Sequence, residues 1–173
     1  MNVLLSREIP QMFDWLCTNR LSLNAGKTEA VLFRPKNKKI DYELSIKINT
    51  KRVFLSNKAK YLGVLLDPHL SWRTHLAELS KKLSCANGLL AKIRHYVDAP
   101  TLKALYYSLF HTHMTYGCLA WGLSDNQDLK RIWKLQQQAI RIISFSDFHE
   151  PTSVLFSRLK ILKLEDVVQP TLC

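Results

Sequence analysis

The sequence predicts an α+β fold in which short antiparallel strands at about residues 29–66 precede a helical bundle at about residues 71–160. Two observations predict this order. The first part alternates apolar and polar residues with the period of two that half-buried strands show. From Ser71 onward, leucines and isoleucines return every three or four residues, which is the period of an amphipathic helix. Strands and helices are thus segregated along the chain, which is typical of α+β folds.

The N-terminal part contains one helix and four strand segments. Residues 2–19 keep their apolar side chains on one helical face, although Pro10 should kink this helix or mark its true start. After a turn at Asn24–Gly26, we expect short strands because the residues are β-branched or alternate in polarity; the segments are 29–34, 43–48, 52–55 and 59–66. Pro35 and the lysines after it predict a charged loop.

The C-terminal part predicts four helices. The clearest begins near Ser71 and carries an apolar stripe formed by Leu76, Leu79, Leu83, Ala86, Leu90, Ile93 and Val97. Asp98 and Pro100 stand where an N-cap and a first-turn proline begin a second helix that runs to Gly117. A third helix fits residues 125–145, and Pro151 can open a short fourth one. We therefore place a domain boundary near residue 68, between domains of residues 1–67 and 68–173.

The composition indicates a protein that binds a polyanion. The chain has 173 residues, 47% of them hydrophobic, which is enough for a core, and 25 Lys and Arg against 14 Asp and Glu give a formal charge of +11. Such a charge favours nucleic acid as a partner, and a merely basic soluble protein is the alternative.

The cysteines and the hydropathy profile indicate where the protein resides. Four cysteines are scattered singly, without the close pairs that zinc sites or disulfide frameworks use. No apolar run approaches the roughly 20 residues that span a bilayer, and the charged N-terminus is unlike a signal peptide. We therefore expect no membrane association and an intracellular location, cytoplasmic or nuclear.

Two motifs of enzymes can be set aside. Ala25-Gly-Lys-Thr28 ends like a phosphate-binding loop, but that pattern needs glycine at position 21, where this chain has leucine, and a strand before it with a helix after it. His111 and His113 are two residues apart, so on a helix their side chains point about 200° apart and cannot hold one metal ion. The sequence therefore predicts no metal site.

Basic residues follow the outer faces of two predicted helices. On the long helix, Arg73, Lys81 and Lys92 lie opposite the leucine stripe, together with His95. On the third helix, Lys130, Lys134, Gln137 and Arg141 follow one another at steps of four, three and four residues. Each stripe could track a phosphate backbone. The alternative is a solvated face that serves only solubility.

Segments within residues 15–33, 60–75 and 105–164 follow one another in a characteristic order. In that order they resemble the C-terminal part of non-LTR (LINE-type, jockey-like) retrotransposon reverse transcriptases. Residues 15–24, Lys27-Thr28 and residues 31–33 resemble the helix, turn and strand that end the palm. Lys60-Tyr-Leu-Gly-Val-Leu-Leu-Asp67 and residues 70–75 resemble the primer grip and the entry to the thumb. The segments similar to the thumb and its continuation are 105–109, 116–117, 121–122, 136–143 and 159–164.

This resemblance implies a partial palm with the primer grip at residues 1–67 and a thumb-like helical domain with a C-terminal extension at 68–173. The family polymerises DNA with two Mg²⁺ ions held by palm aspartates, one sign of which is an adjacent Asp pair. This chain has no Asp-Asp. We therefore expect the metal-binding segments to lie before Met1, no cofactor in this chain, Mg²⁺ in the full-length enzyme, and an inactive fragment that binds primer-template as RNA, RNA–DNA or DNA duplex.

Three residues take possible roles from the resemblance. Lys27 matches a lysine near the incoming triphosphate, and a surface lysine is the alternative. Leu62 and Gly63 match the primer-grip turn, where a small residue lets the backbone approach the primer, and a strand bulge is the alternative. For the whole chain, the alternatives are a stand-alone basic module that binds nucleic acid and a transposon remnant without a selected function. The oligomeric state stays open.

Overall fold

The computed structural model describes residues 2–24, 26–37, 46–48, 51–124, 127–147 and 149–168. The chain divides into two compact units, Met1–Ser71 and Trp72–Cys173. Helices prevail and the strands are antiparallel pairs, so the predicted α+β class is confirmed. Among the helices described, none is long and apolar enough to cross a membrane.

The first unit begins with a long helix. Helix α1 spans Asn2–Thr18 and runs through Pro10, so the proline does not mark the helix start. Proline removes one backbone hydrogen bond, and the turns on both sides of it carry the helix across the gap. At the C-terminus of α1, the side chains of Thr18 and Asn19 donate to the carbonyls of Asp14 and Trp15, each at 2.8 Å.

Two separate hairpins supply the strands of the first unit. Strand β1, Ile46–Ile48, pairs with β2, Lys51–Val53, and β3, Ala59–Tyr61, pairs with β4, Val64–Leu66. Residues 43–45 of the second predicted strand lie outside the described residues.

The strand predicted at 29–34 is wrong. Only a single parallel bridge joins Ala30 to Leu55 there, and the Arg34 N–H donates to the Pro68 carbonyl at 2.9 Å. The β-branched composition of this segment favours an extended chain, but within the described part of the unit no neighbouring strand offers it a ladder of hydrogen bonds.

The segment 59–66 is a hairpin, not one strand with a bulge. Tyr61 and Val64 pair across a two-residue loop of Leu62 and Gly63, whose φ angles are +45° and +83°. Positive φ at both central residues is what a type I′ turn requires, and this turn matches the twist of the flanking strands. Glycine adopts that conformation without strain, whereas Leu62 must be held there by the pairing of the strands.

The second unit is helical. Its elements are α2 (Arg73–Ile93), α3 (Ala99–Tyr106), a π-helical segment (Tyr107–His111), α4 (Thr112–Thr115), α5 (Cys118–Trp121), α6 (Gln127–Ser144), α7 (Thr152–Leu159) and α8 (Leu164–Val168). The predicted cap before α3 is confirmed, because the Asp98 carboxylate accepts from the Thr101 N–H at 3.3 Å and Pro100 lies in the first turn.

Helices α2 and α6 pack side by side in the same direction. The Asn87 side chain donates to the Leu135 carbonyl at 3.0 Å, and seven residues later the Arg94 guanidinium lies 5.0 Å from the centre of the Phe145 ring. Both helices also pack against α3. The core is formed by inward apolar side chains from all the helices of this unit. The largest fully buried ones are Trp121, Tyr106, Phe110, Leu76, Leu83, Leu90, Leu102, Met114, Ile132, Ile140, Leu155 and Leu164.

The second predicted helix changes its winding halfway. Leu102, Tyr106, Phe110 and Met114 are all fully buried, at a constant spacing of four residues. On a regular α-helix this spacing would drift by about 40° per step, and the wider π-helical turn at Tyr107–His111 reduces that drift. The sequence pattern did not predict this segment.

Gln136 joins the C-terminal segment to the core. Its side chain is 2% exposed. The amide nitrogen donates to the Leu162 carbonyl at 3.0 Å and to the Tyr106 hydroxyl at 3.4 Å, while the amide oxygen accepts from the Leu164 N–H at 3.0 Å. One buried side chain thereby fixes the backbone between α7 and α8.

Candidate nucleic-acid interface

Positive charge is present in both units and concentrates on the two long helices of the second one. Residues 1–71 contain twelve Lys and Arg against six Asp and Glu, and residues 72–173 contain thirteen against eight. Helices α2 and α6 each carry four Lys and Arg and a single acidic residue, Glu78 and Asp128 respectively. A solvated face that serves only solubility usually mixes the two signs.

The basic stripe of α6 lies on the side of the helix that faces away from the core. Lys130, Lys134 and Gln137 are exposed and Arg141 is partly buried. At about 100° per residue, the four positions fall within about 60° of one another, roughly opposite the buried Ile132 and Ile143. From Lys130 to Arg141 the stripe is about 16 Å long, which matches about five phosphates of one strand.

Arg141 ends this stripe at a polar cavity of about 420 Å³. The cavity is also lined by Gln137, by His149, by the first residues of α7, and by charged groups of both signs: Glu150, Lys163 and Glu165. Arg158 lies 3.5 Å from Glu150 in an ion pair. Because the charges in the cavity are balanced, the cationic surface is carried by Lys130 and Lys134.

The predicted basic residues of α2 are also exposed. Arg73 begins the helix and Lys92 lies in its last turn, so the two are about 28 Å apart along the axis. Lys81 lies 2.9 Å from Glu78, and both side chains are more than half exposed. Exposed ion pairs of this kind are weak, so Lys81 can exchange its partner for a phosphate at little cost.

The fold places the basic residues of both helices on one surface. Because α2 and α6 run in parallel and both turn their apolar sides toward α3, their polar sides point in the same outward direction. We call this surface the front face; it carries Arg73, Lys81, Lys92, Lys130, Lys134 and Arg141. Between the two rows lie exposed Ala77, Ser84, Gly88, Ala91, Arg131 and Gln138.

Sequence reasoning missed one member of this surface. Arg131 is exposed on α6, three residues before Lys134, on the side that faces α2. Its spacing from Lys134 was visible in the sequence, but whether that side was covered depended on which helix packed beside it. The parallel pairing with α2 leaves Arg131 accessible beside small residues of α2.

The predicted residues of the first unit lie on exposed turns. Lys27 is exposed, and its N–H closes a turn by donating to the Asn24 carbonyl at 3.0 Å, where Thr28 also donates its hydroxyl at 2.9 Å. Leu62, 71% exposed, and Gly63 form the tip of the second hairpin. Lys27, Leu62 and Gly63 are thus accessible to solvent at these turns.

Asp67 is an acidic residue with a structural role. Asp67 ends the second hairpin, and its carboxylate accepts the N–H of His69 at 3.0 Å and that of Ser71 at 2.9 Å. In the described ranges, no three His, Cys, Asp or Glu side chains converge as a metal ion requires. These residues therefore do not fit the pair of Mg²⁺ ions that polymerase chemistry uses.

Comparison with curated proteins relates the chain to polymerases of mobile elements. It is 25% identical over 158 residues to the probable RNA-directed DNA polymerase from transposon X-element of Drosophila melanogaster, and 26% identical over 160 residues to the RNA-directed DNA polymerase from mobile element jockey of Drosophila funebris. Each alignment covers 90% of this chain, and the chain spans 17% of the length of each relative.

These relatives confirm the resemblance to non-LTR retrotransposon reverse transcriptases. The small share of each relative is consistent with a C-terminal fragment of such a polymerase. No family model matches the chain, and no solved structure does so either.

Proposed function

We propose that this chain, related over nine-tenths of its length to polymerases of non-LTR retrotransposons, is the primer-template-binding part of such a polymerase. The single observation that carries the proposal is the front face. Two parallel helices, each with an excess of three positive charges, each expose three basic side chains on this face. Such a surface suits a double-stranded nucleic acid, whose phosphates follow two parallel rows.

The basic stripe of α6 lowers the stability of the helix slightly unless an anion binds it. Lys130 and Lys134 are four residues apart, so their ammonium groups are neighbours on one face. Like charges at this spacing destabilise a helix by roughly 0.2–0.5 kcal/mol. A phosphate between them would replace this repulsion with attraction and release counterions from the nucleic acid.

The first unit has two proposed contacts. Lys27 would place its ammonium group beside the triphosphate or the departing pyrophosphate, where a positive charge stabilises the developing negative charge. Leu62 and Gly63 would bring the hairpin tip against the backbone of the primer, which a residue without a side chain permits. Both proposals draw on the relatives and on the exposure of the two turns.

The metal-binding carboxylates are proposed to lie outside this chain. The sequence contains no adjacent Asp pair, and the described acidic residues do not converge. We therefore expect no product when the purified chain is given a primer-template, deoxynucleotides and Mg²⁺, and template-dependent synthesis would contradict the proposal. We further propose that the chain acts in the cytoplasm or nucleus; its free thiols at Cys17, Cys85 and Cys118 suit a reducing compartment.

A second candidate function is a stand-alone module that binds nucleic acid. It is favoured by the second unit, because the buried cluster among the described residues consists of residues of this unit. The genomic DNA upstream of Met1 distinguishes the two candidates. An in-frame sequence for Phe or Tyr followed by Ala-Asp-Asp supports the polymerase, and its absence favours the module.

Salt-dependent binding tests the front face. A fluorescein-labelled 20-base-pair RNA–DNA hybrid is titrated with the full chain at several salt concentrations, and fluorescence anisotropy reports the Kd. The double variant Lys130→Gln, Lys134→Gln should bind more weakly and should lower the slope of log Kd against log salt by about 1.4–1.8, since each phosphate contact contributes roughly 0.7–0.9.

The control is Lys160→Gln, an exposed lysine at the end of α7, which belongs to neither of the two helices of the front face. It removes one positive charge and should leave the slope within about 0.3 of the wild-type value. If the double variant keeps the wild-type slope, or if the control lowers the slope as much per charge, the front face does not bind the duplex. Wild-type binding that does not depend on the salt concentration would also show that the front face does not bind the duplex.

A further inference from the structure

One end of the front face carries exposed aromatic side chains, Tyr96 and Phe145. Helix α2 ends at Ile93 and is followed by Arg94, His95 and Tyr96, while Phe145 follows the last residue of α6. Because the two helices are parallel, these C-terminal ends lie side by side. We call Arg94, His95, Tyr96 and Phe145 the end cluster.

Contacts hold three members of the end cluster together. The Arg94 guanidinium lies 5.0 Å from the centre of the Phe145 ring and donates from Nε to the His95 Nε2 at 3.2 Å. The His95 and Phe145 rings meet edge to face, with centres 5.9 Å apart. A cation held over an aromatic ring is attracted by the ring quadrupole, so these contacts fix both the guanidinium and the ring.

The aromatic members are more exposed than packing requires. Tyr96 is 88% exposed, and Phe145 is half exposed with a φ of +55°. The left-handed conformation after a helix favours glycine or asparagine, and a large side chain there is strained. A single exposed aromatic residue needs no explanation, but two beside an arginine and a histidine form the kind of surface that receives bases.

We propose that the end cluster is a stacking platform for unpaired nucleotides of a strand that leaves the duplex on the front face. The inference rests on the proposed function, since it assumes a duplex bound beside it. Tyr96 and the open part of the Phe145 ring would stack on bases, and Arg94 would contact the phosphate between them. Every base offers a planar face, so such a platform accepts many sequences of single-stranded RNA or DNA.

The charges around the platform decide which force dominates. Asp98 and Asp147, the acidic residues nearest in sequence, offset part of the positive charge of Arg94 and Lys92. The Asp98 carboxylate already accepts a hydrogen bond from the N-terminus of α3. Stacking therefore contributes more than phosphate contacts, and removing a ring should lower affinity without changing the salt dependence.

The experiment compares three labelled probes with the full chain: a 20-base-pair hybrid with blunt ends, the same hybrid with a six-nucleotide single-stranded extension, and that hybrid with an abasic extension. The extension should raise the affinity of the wild type, in RNA and DNA form alike. Tyr96→Ala should reduce the affinity for the extended hybrid at least about fivefold and leave that for the blunt hybrid unchanged.

Conservative variants separate stacking from other contacts. Tyr96→Phe keeps an aromatic ring and should bind the extension like the wild type, whereas Tyr96→Leu keeps only apolar area and should lose the gain. Val154→Ala, which shortens another exposed apolar side chain, is the matched control and should change nothing. Because Tyr96 is almost fully exposed, none of its variants should alter the unfolding temperature.

Several results would overturn the platform. Equal affinity for the abasic and the normal extension would show that no base is stacked, and full binding by Tyr96→Leu would replace stacking with simple apolar contact. A Tyr96→Ala variant that binds every probe normally but loses self-association in light scattering would assign the surface to a protein partner. If the wild type binds none of the three probes, the proposed function itself is wrong. If it binds the blunt hybrid and the extension does not raise the affinity, only the stacking platform is wrong.

Discussion

Replacing Gln136 with leucine tests whether one buried amide holds the C-terminal part of the helical unit. Leucine has nearly the same volume and fits the apolar surroundings, so the change leaves no large cavity. It removes three hydrogen bonds: those to the Leu162 carbonyl, the Tyr106 hydroxyl and the Leu164 N–H. Two of these partners are backbone groups that the substitution cannot remove.

The cost follows from the burial of each partner. Leu164 is 1% exposed, so its N–H would lose its hydrogen bond without access to water, at about 1–3 kcal/mol. The Leu162 carbonyl belongs to an exposed residue and recovers part of its bond from water, so its contribution is about 1 kcal/mol. The bond to the Tyr106 hydroxyl is long, at 3.4 Å, and therefore weak, so its loss adds little. We therefore expect Gln136→Leu to destabilise the unit by about 2–4 kcal/mol.

Urea unfolding followed by far-UV circular dichroism measures this loss, and hydrogen exchange locates it. Exchange of the Leu164 amide should accelerate about thirtyfold or more, because 1.4 kcal/mol corresponds to a factor of ten. Gln137→Leu is the control, since the adjacent side chain is exposed and should change stability by less than about 0.5 kcal/mol. If the two variants lose equal stability, or the Leu164 amide keeps its protection, Gln136 does not hold this segment.

Three further predictions concern the stability of the chain. Gly88→Ala should raise the unfolding temperature, because alanine favours the helix by about 0.5–1 kcal/mol and the new Cβ meets no atom within 4 Å. Gly122→Ala should lower the unfolding temperature, because its Cβ would lie 2.5 Å from the Cys118 carbonyl oxygen. Burial, together with the positive charge of Lys82, lowers the pKa of His75 below 6.5. The stability that neutral His75 contributes is therefore complete above pH 6.5 and is lost as the pH falls toward the lowered pKa. The difference between the unfolding temperatures at pH 7.5 and pH 5 should be smaller in His75→Gln than in the wild type. Residues 72–168 should withstand trypsin longer than residues 1–71, because Val53 is the one buried side chain among those described in the first unit. Faster cleavage in the helical unit would contradict this prediction.

The sequence predicted best where local pattern and tertiary packing agree. The leucine stripe of α2 and the cap at Asp98 depend on neighbours in the sequence, and both are present. The strand at 29–34 failed because a strand exists only beside a partner, which local propensity does not reveal. At Leu62-Gly63 the resemblance indicated a turn, but the residue pattern alone did not predict a hairpin. Leucine at positive φ is rare, although glycine within an apolar run was a visible signal.

The candidate interface was predictable in part for the same reason. Helical periodicity alone placed Lys130 and Lys134 on one face of α6, and they are exposed there. The end cluster joins residues about fifty positions apart, and nothing before the parallel pairing of α2 and α6 indicates that Arg94 and Phe145 meet. Gln136 occupied an inward position between Ile132 and Ala139, so its burial could have been inferred from the period had its polarity not argued against it.

Helix α6 separates the residues that fold the unit from those available for binding. Gln136 and the apolar residues of its inner side hold the core, whereas Lys130 and Lys134 touch no part of it. Substituting these lysines can therefore change nucleic-acid binding without unfolding the chain, and relief of their mutual repulsion should even stabilise the helix slightly. Arg141 belongs to both groups, since it extends the basic stripe and is partly buried at a polar cavity. Loss of binding in an Arg141 variant could therefore come from the lost positive charge or from a change in the fold. The variant of the two lysines separates these causes and is the decisive test of the front face.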